Sequence, residues 1–336
     1  MVKIAIVGAG FMGKMHGNVY ANLPDMAKLV AVVDSSPAKA EEIAKSHNAK
    51  VTANLDDVLD DVDMVDVTLP TYLHCKFTVA AANAGKHVLC EKPIALNLKD
   101  ADKMLAAVKK NKVKFMVAHC IRFWPEYMVL KRIYDEKKYG RLISIWMARV
   151  STAPVWAWNN WLMQKGKSGS AITDLHIHDT DFALYLLGKP ESVYSRGTKN
   201  KTGWVHIWTS YNYRNVAAIA EVGWDFPGKF PFNMTFRANF ENGTVEFGLQ
   251  PQYKMVLYQG GNEAVPIDVP QPKVSNVEAG GNISSLGGYF NEIQYFLECL
   301  SRDKYPKVVT PQDARTSLQI VLAEKKSAET GKIVRF

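Results

Sequence analysis

The sequence predicts a doubly wound parallel α/β sheet followed by an α+β region built on an antiparallel sheet. Three observations carry this expectation. The chain opens on an apolar segment, Val2 to Val7, that runs straight into glycines at 8, 10 and 13. Apolar segments and helical patterns then alternate to about residue 120. From about residue 190 to 269, strand-type segments follow one another with no helical pattern between them. A chain of 336 residues is long for one core, so two domains are expected, at 1–121 and 122–336.

The opening segment has the apolar, β-branched character of a buried parallel strand. A second, Lys28 to Val33, ends on Asp34, about 20 residues past the last glycine, the spacing of a dinucleotide-binding βαβ unit. Each position has a physical task. Gly8 permits the tight turn, Gly10 lets backbone approach a pyrophosphate, and Gly13 lets the helix pack on the sheet. The helix that starts at Phe11 and Met12 turns its N–H groups and positive dipole end toward phosphate. Asp34 suits the adenosine ribose hydroxyls and repels a 2′-phosphate, which favours NAD over NADP; Ser35, Ser36 and Lys39 beside it soften that preference.

Further strands of this Rossmann arrangement are expected near 50–52, 63–68, 87–90 and 114–119, with helices near 11–22, 37–47, 72–84 and 97–111. After residue 121 come a helix near 124–137, a strand at Leu142–Val150, an irregular aromatic stretch, and a helix over roughly 171–187 that stops at Gly188. Strands follow at 192–199, 204–213, 216–224, 233–240, 244–249 and 254–259, with Glu241-Asn242-Gly243 as a hairpin turn. Helices near 287–300 and 311–329 close the chain. The Pro/Gly-rich stretch 260–288 reads as an irregular or mobile loop.

The formal charge of +8 does not point to nucleic acid, because the lysines are spread along the chain. The densest group, Lys109, Lys110, Lys112 and Lys114, sits at a helix end and is expected to face solvent. Cys75, Cys90, Cys120 and Cys299 lack CxxC spacing and read as reduced thiols of a cytoplasmic protein. No apolar run is long enough to span a membrane, and the start shows no signal-peptide pattern.

Two constellations carry chemistry. Glu91-Lys92-Pro93 ends the fifth strand, where open α/β sheets bind ligands. Lys92 is either a solvated lysine or a group that bonds a substrate oxygen and stabilises developing charge. In the second, Asp174, His178 and Asp181 fall at i, i+4 and i+7 and share one face of a helix. A carboxylate one turn from an imidazole raises its basicity, as a base acting on an alcohol requires. Helix capping is the plain alternative. A metal site is the other, through the pair His176 and His178, but the helical pattern that continues through Phe182 and Tyr185 turns His176 to the other side. Arg122, Phe123, Trp124 and Tyr127, and the stretch Trp156, Trp158, Asn159, Asn160 and Trp161, supply indole faces and polar groups suited to hydroxylated rings, or else core packing.

In these residues the chain resembles the glucose–fructose oxidoreductase / inositol dehydrogenase (Gfo/Idh/MocA) family over essentially its whole length. The glycine turn matches the family's cofactor loop. Leu69-Pro70 with His74 matches the segment near the nicotinamide, Glu91-Lys92-Pro93 its EKP motif, and Asp174 with His178 its D-x-x-x-H pair. The resemblance implies an open-faced C-terminal sheet that joins copies into a homodimer or homotetramer. It also implies NAD-dependent hydride transfer at a secondary alcohol or ketone of a sugar, inositol or related polyol, with no metal. His178 is then the acid/base, Asp174 its partner and Lys92 the group polarising the oxygen, with Glu91 bordering the cofactor. Arg122 and Trp161 are expected to border the substrate from their positions and side-chain chemistry, apart from the resemblance. Family members that use retained NAD transiently, as in glycoside cleavage, and a non-catalytic NAD-binding regulator are the alternatives. The chain departs from the family at His176, where many relatives have glycine, and at Gly169-Ser170-Ala171, where the glycine run is fuller.

Overall fold

The computed structural model describes residues 1–252, 254–261, 263–272 and 286–336. It divides into two compact units. One comprises Met1–Cys120, Ala157–Trp161 and Pro272–Leu318; the other comprises Ile121–Trp156, Leu162–Gln271 and Gln319–Phe336.

In the first unit strands and helices alternate: β1 (Val2–Val7), α1 (Phe11–Ala21), β2 (Ala27–Val33), α2 (Pro37–His47), β3 (Lys50–Thr52), β4 (Met64–Val67), α3 (His74–Asn83), β5 (His87–Glu91), α4 (Leu98–Lys110) and β6 (Phe115–Ala118). All pairings are parallel, in the order β3-β2-β1-β4-β5-β6. The chain winds one way from β1 through β3 and the other way from β4 through β6, so the switch point falls between β1 and β4, at the mouth of the glycine turn. Ile4, Ala5 and Ile6 are wholly buried, as expected of a strand covered on both faces. The caps follow local chemistry. Asn97 accepts the Asp100 N–H at the start of α4, and Asn48 closes α2 in the left-handed region.

One lysine behaves otherwise than expected. Lys114 is buried, pairs with Asp303 and lies 5.7 Å from the Tyr305 ring centroid. It leads into β6 rather than closing a solvated helix end, and Asp303 supplies its counter-charge.

In the second unit the elements are α5 (Pro125–Asp135), β7 (Leu142–Val150), α6 (Lys165–Ser168), α7 (Ala171–Asp174), α8 (Ile177–Leu187), β8 (Ser192–Asn200), β9 (Gly203–Asn212), β10 (Ala217–Gly223), β11 (Asn233–Phe240), β12 (Gly243–Phe247), β13 (Met255–Tyr258) and β14 (Val265–Pro266). Next in the chain comes α9 (Gly287–Ser301), which belongs to the first unit and packs there on α1, β1 and β6. Then α10 (Pro311–Thr330) and β15 (Val334–Arg335) end the chain. The second sheet runs β14-β13-β12-β11-β7-β10-β9-β8-β15. It is mostly antiparallel, as expected, and mixed in that β7 and β10 pair in parallel. Parallel neighbours need a long crossover, and the chain supplies one through α6–α8, β8 and β9. One face is buried through Val193, Tyr211, Ala218, Ile145 and Ala238. The other exposes Tyr194, Trp208 and Ile219. Of the stretch 260–288 expected as a loop, β14 is described and residues 273–285 lie outside the described residues.

Candidate functional site

The glycine turn of the first unit can be tested position by position. Gly8 has φ +109°, and a Cβ there would lie 2.9 Å from the Thr68 carbonyl carbon. A Cβ on Gly13 would lie 2.0 Å from the Gly8 oxygen, so α1 can lie this close to β1 only with glycine. Gly10 meets nothing within 4 Å, leaving open space over its backbone. Two glycines serve packing and the third leaves an approach free, as a diphosphate needs. Thr68 locks the turn by donating its hydroxyl to the Gly8 oxygen at 2.7 Å. Phe11 and Met12 begin α1 half-buried.

Asp34 follows β2. Its Oδ2 accepts the Ala9 N–H at 2.7 Å and its Oδ1 the Ser36 N–H at 2.8 Å. Two backbone donors from two loops therefore orient the carboxylate, and each oxygen has a second lone pair for a hydroxyl. Ser35 is exposed beside it. These features fit the adenosine end of NAD.

Leu69, Pro70, His74 and Glu91-Lys92-Pro93 collect at the carboxyl ends of β4 and β5. His74 is buried between two carbonyls, with Nε2 at 2.7 Å from the Leu69 oxygen and Nδ1 at 2.9 Å from the Pro93 oxygen, and so fastens the two loops together. Burial lowers its pKa, against the pull of the two accepting oxygens. Lys92 is half-buried at the tip of β5 and joined to Pro93 by a cis peptide bond. Its N–H donates to Glu91 Oε2 at 3.0 Å.

Behind Glu91 lies a buried group that the sequence reading did not single out. His16 of α1 contacts Asp66 Oδ2 at 2.8 Å through Nδ1 and Glu91 Oε1 at 3.2 Å through Nε2. Tyr20 donates to the same Asp66 oxygen at 2.7 Å. Burial would lower the His16 pKa, but the charge and hydrogen bonds of Asp66 and Glu91 outweigh it and hold the imidazole protonated. Burial likewise works to raise Glu91, yet His16 leaves its pKa below the usual value. Glu292 of α9 is also buried and is raised well above the carboxylate range, chiefly by burial. The available signal was Asp66, an acid inside the apolar run Met64–Val67.

In the second unit the expected helix over 171–187 is two helices. The Leu175 and His176 N–H groups both bond to the Ala171 oxygen, at 3.0 and 2.9 Å, which widens the turn and ends α7 at Asp174. The Asp179 and Thr180 N–H groups then both bond to the His176 oxygen, so α8 starts afresh. Asp174 is therefore the last residue of α7 and His178 the second of α8, and the single-helix spacing of Asp174, His178 and Asp181 does not hold. Asp181 is turned inward, to Arg122, with Nε–Oδ2 at 2.8 Å and Nη2–Oδ1 at 2.7 Å. Arg122, expected beside substrate, is buried in this bidentate pair and 4.7 Å from the Tyr185 ring centroid. Its guanidinium braces α8. Asp179 makes a second buried bidentate pair with Arg149, at 3.0 Å twice.

His176 is fully buried, with Nε2 at 2.9 Å from Thr209 Oγ1 and 3.4 Å from Glu324 Oε2. Among the described residues no group of three or more His, Cys, Asp and Glu side chains is placed to hold a metal ion. Trp161 is half-buried and belongs to the first unit. Trp156 and Trp158 are exposed, Phe123, Trp124 and Tyr127 buried, and Asn159 and Asn160 take left-handed backbone. No helix among the described residues is long and apolar enough to cross a membrane.

The parallel sheet, the glycine turn and the acid after β2 define a dinucleotide-binding oxidoreductase fold. Residues 2–119 match the oxidoreductase family with an NAD-binding Rossmann fold, and residues 127–247 match the GFO/IDH/MocA C-terminal domain. The chain belongs to this GFO/IDH/MocA family. It is 32% identical over 212 residues to levoglucosan dehydrogenase of Pseudarthrobacter phenanthrenivorans, covering 57% of this chain and 53% of that protein. It is 35% identical over 196 residues to inositol 2-dehydrogenase of Rhizobium meliloti, covering 57% of each. The matched residues thus span a little over half the length of these relatives. A solved structure of levoglucosan dehydrogenase in complex with NADH and levoglucosan superposes with a TM-score of 0.84, covering 99% of both chains at 22% identity, which shows the shared fold.

Proposed function

We propose that the protein is an NAD-dependent dehydrogenase acting on a secondary alcohol of a sugar, an inositol or a related polyol, or on the corresponding ketone. One observation carries the reading most directly. A strand ending in Glu91-Lys92-Pro93 lies in a sheet whose glycine turn and Asp34 fit NAD, and the same chain carries Asp174 and His178 on adjoining helices. Gly8, Gly10, Phe11, Met12, Gly13, Asp34 and Ser35 hold the dinucleotide, with Leu69, Pro70, His74, Glu91 and Lys92 toward its nicotinamide end. His178 takes the hydroxyl proton, with Asp174 supporting the imidazolium that forms. Lys92 donates to the oxygen as negative charge develops there. NAD, when bound, would supply the hydride acceptor for the carbinol carbon, or the donor in the reverse direction. Trp161 borders the sugar ring, and Arg122 contributes through α8.

The exposed face with Tyr194, Trp208 and Ile219 supports assembly into a homodimer or homotetramer, and four free cysteines support a cytoplasmic location. The purified protein, given NAD or NADP with a panel of inositols, aldoses and polyols, should form reduced nicotinamide with NAD preferred. Net formation distinguishes this reaction from transient use of a retained cofactor. No net turnover across the panel, or turnover unchanged by Lys92→Ala and His178→Ala, would overturn the reading. Light scattering at micromolar concentration should show a multiple of the chain mass.

A further inference from the structure

His176 occupies a built site in the second unit. Its carbonyl is the first acceptor of α8, taking the Asp179 and Thr180 N–H groups at 3.1 Å each. Its ring reaches the other way, to Thr209 of β9 and Glu324 of α10. Glu324 is fully buried and returns to α8, because Oε1 accepts the Thr180 hydroxyl at 2.9 Å. Thr180 also lies 2.9 Å from the Tyr211 hydroxyl, and Thr209 lies 2.8 Å from the Ser195 hydroxyl. The first turn of α8, which carries His178, is thus tied at two points to one buried carboxyl and one buried imidazole.

We propose that His176 and Glu324 form a buried pair sharing a single proton, and that this pair positions His178 for proton transfer. The proposal rests on His178 being the acid/base. His176 and Glu324 are positioning residues: neither is assigned contact with substrate or cofactor.

The surroundings decide where the proton sits. Burial lowers the His176 pKa to about 3, with the Arg149 charge adding to the effect, so the ring is neutral. Burial raises Glu324 to about 8. The Thr180 and Tyr211 hydroxyls oppose that rise and Asp179 adds to it. At neutral pH the proton therefore stays on the carboxyl, and the contact is between neutral groups. The other facing groups are Arg149 of β7, engaged with Asp179 of α8, and Tyr213 after β9, whose own hydroxyl is held protonated by burial and by Glu324. Removing the shared proton puts a carboxylate into this enclosure. The enclosure can host it only by rearranging, and the first turn of α8 moves with it. In the hydride-transfer reaction this appears as a loss of kcat on the alkaline side, with KM for NAD little changed.

The test uses the full chain and the variants Glu324→Gln and Glu324→Ala, with the best substrate of the polyol panel and with histidine 15N NMR. Wild type should lose kcat through a step near pH 8, and Glu324→Gln should lack that step. Glu324→Ala should lower kcat about tenfold at every pH with KM for NAD unchanged, and Gln should restore most of it. The His178 resonance, assigned by its disappearance in His178→Gln, should inflect near pH 8 in wild type and not in Glu324→Gln. Superimposable pH profiles and titration curves in wild type and Glu324→Gln would overturn the inference. Absence of turnover in wild type would overturn the dehydrogenase reading instead, and the NMR titration would still decide whether Glu324 acts on His178.

Discussion

Among the described residues a fully buried histidine meets carboxyl groups twice, and the two sites end in opposite charge states. In the first unit His16 has two carboxylates, Asp66 and Glu91, and is held protonated. In the second, His176 has one, Glu324, and the charges nearest it are already joined as Arg149 with Asp179. There the ring is neutral and the carboxyl keeps the proton. Equal burial does not set the outcome; the count of uncommitted charges within a few ångströms does. Each group also includes a near neighbour in sequence of a residue with a proposed chemical role. Glu91 precedes Lys92, and His176 stands two residues before His178.

The largest effects should come from the residues with those proposed roles. Lys92→Ala and His178→Ala are each expected to lower kcat/KM by about 10²–10⁴-fold, measured by steady-state kinetics, with little loss of stability. Equal activity in wild type and variants would leave the two buried groups with nothing to position.

The next effect separates the charged group from the neutral one. His16→Ala strands Asp66 and Glu91 without their cation, at a cost of about 3–5 kcal/mol. His176→Ala removes a neutral ring and a hydrogen bond, and should cost roughly 1–3 kcal/mol. Denaturant unfolding at neutral pH compares them, and a larger loss for His176→Ala would reverse the assignment of charge.

Stability against pH sharpens the contrast. Glu324 is raised from 4.5 to about 8, so between those values the unfolded chain has released a proton that the folded one retains. Its contribution is complete below 4.5 and is lost as pH rises through about 8. His176 is lowered from 6.5 to about 3, so its contribution is complete above 6.5 and is lost as pH falls toward 3. Glu324→Gln should therefore flatten the decline in Tm from pH 5 to 8.5 and leave the acid limb unchanged. A decline as steep as in wild type would place the titration elsewhere.

A smaller pair of effects divides the glycine turn. Gly10→Ala should weaken NADH binding severalfold with Tm nearly unchanged, because its Cβ enters open space. Gly13→Ala should lower Tm, because its Cβ collides with the Gly8 oxygen. Calorimetry and fluorescence titration read the two separately.

The parallel sheet was legible because each strand announces itself locally, as an apolar run ended by Gly8, Asp34 or Pro93. The direction of β10 beside β7 was not, since side-chain alternation is the same in parallel and antiparallel neighbours. The break at His176 was hidden for a related reason. Phe182, Tyr185 and Leu186 continue the helical pattern, while the shared Ala171 acceptor is a matter of backbone alone. Arg122 looked like a pocket residue because its partner, Asp181, lies 59 residues further on. Asp66 was visible as an anomaly, but its meaning required His16 and Glu91 from elements on either side.

The parallel pairing of β7 with β10 has a consequence for how the second unit is made. Ser144 meets Ala217 only after roughly seventy intervening residues have been gathered in, and those residues include α7, α8 and the hairpin of β8 with β9. Closing a loop of that length is slow compared with forming a hairpin. Completion of the sheet centre and installation of the helix bearing His178 should therefore be one kinetic event. A chain released before β10 has emerged would leave the helices that carry Asp174 and His178 still waiting for a floor.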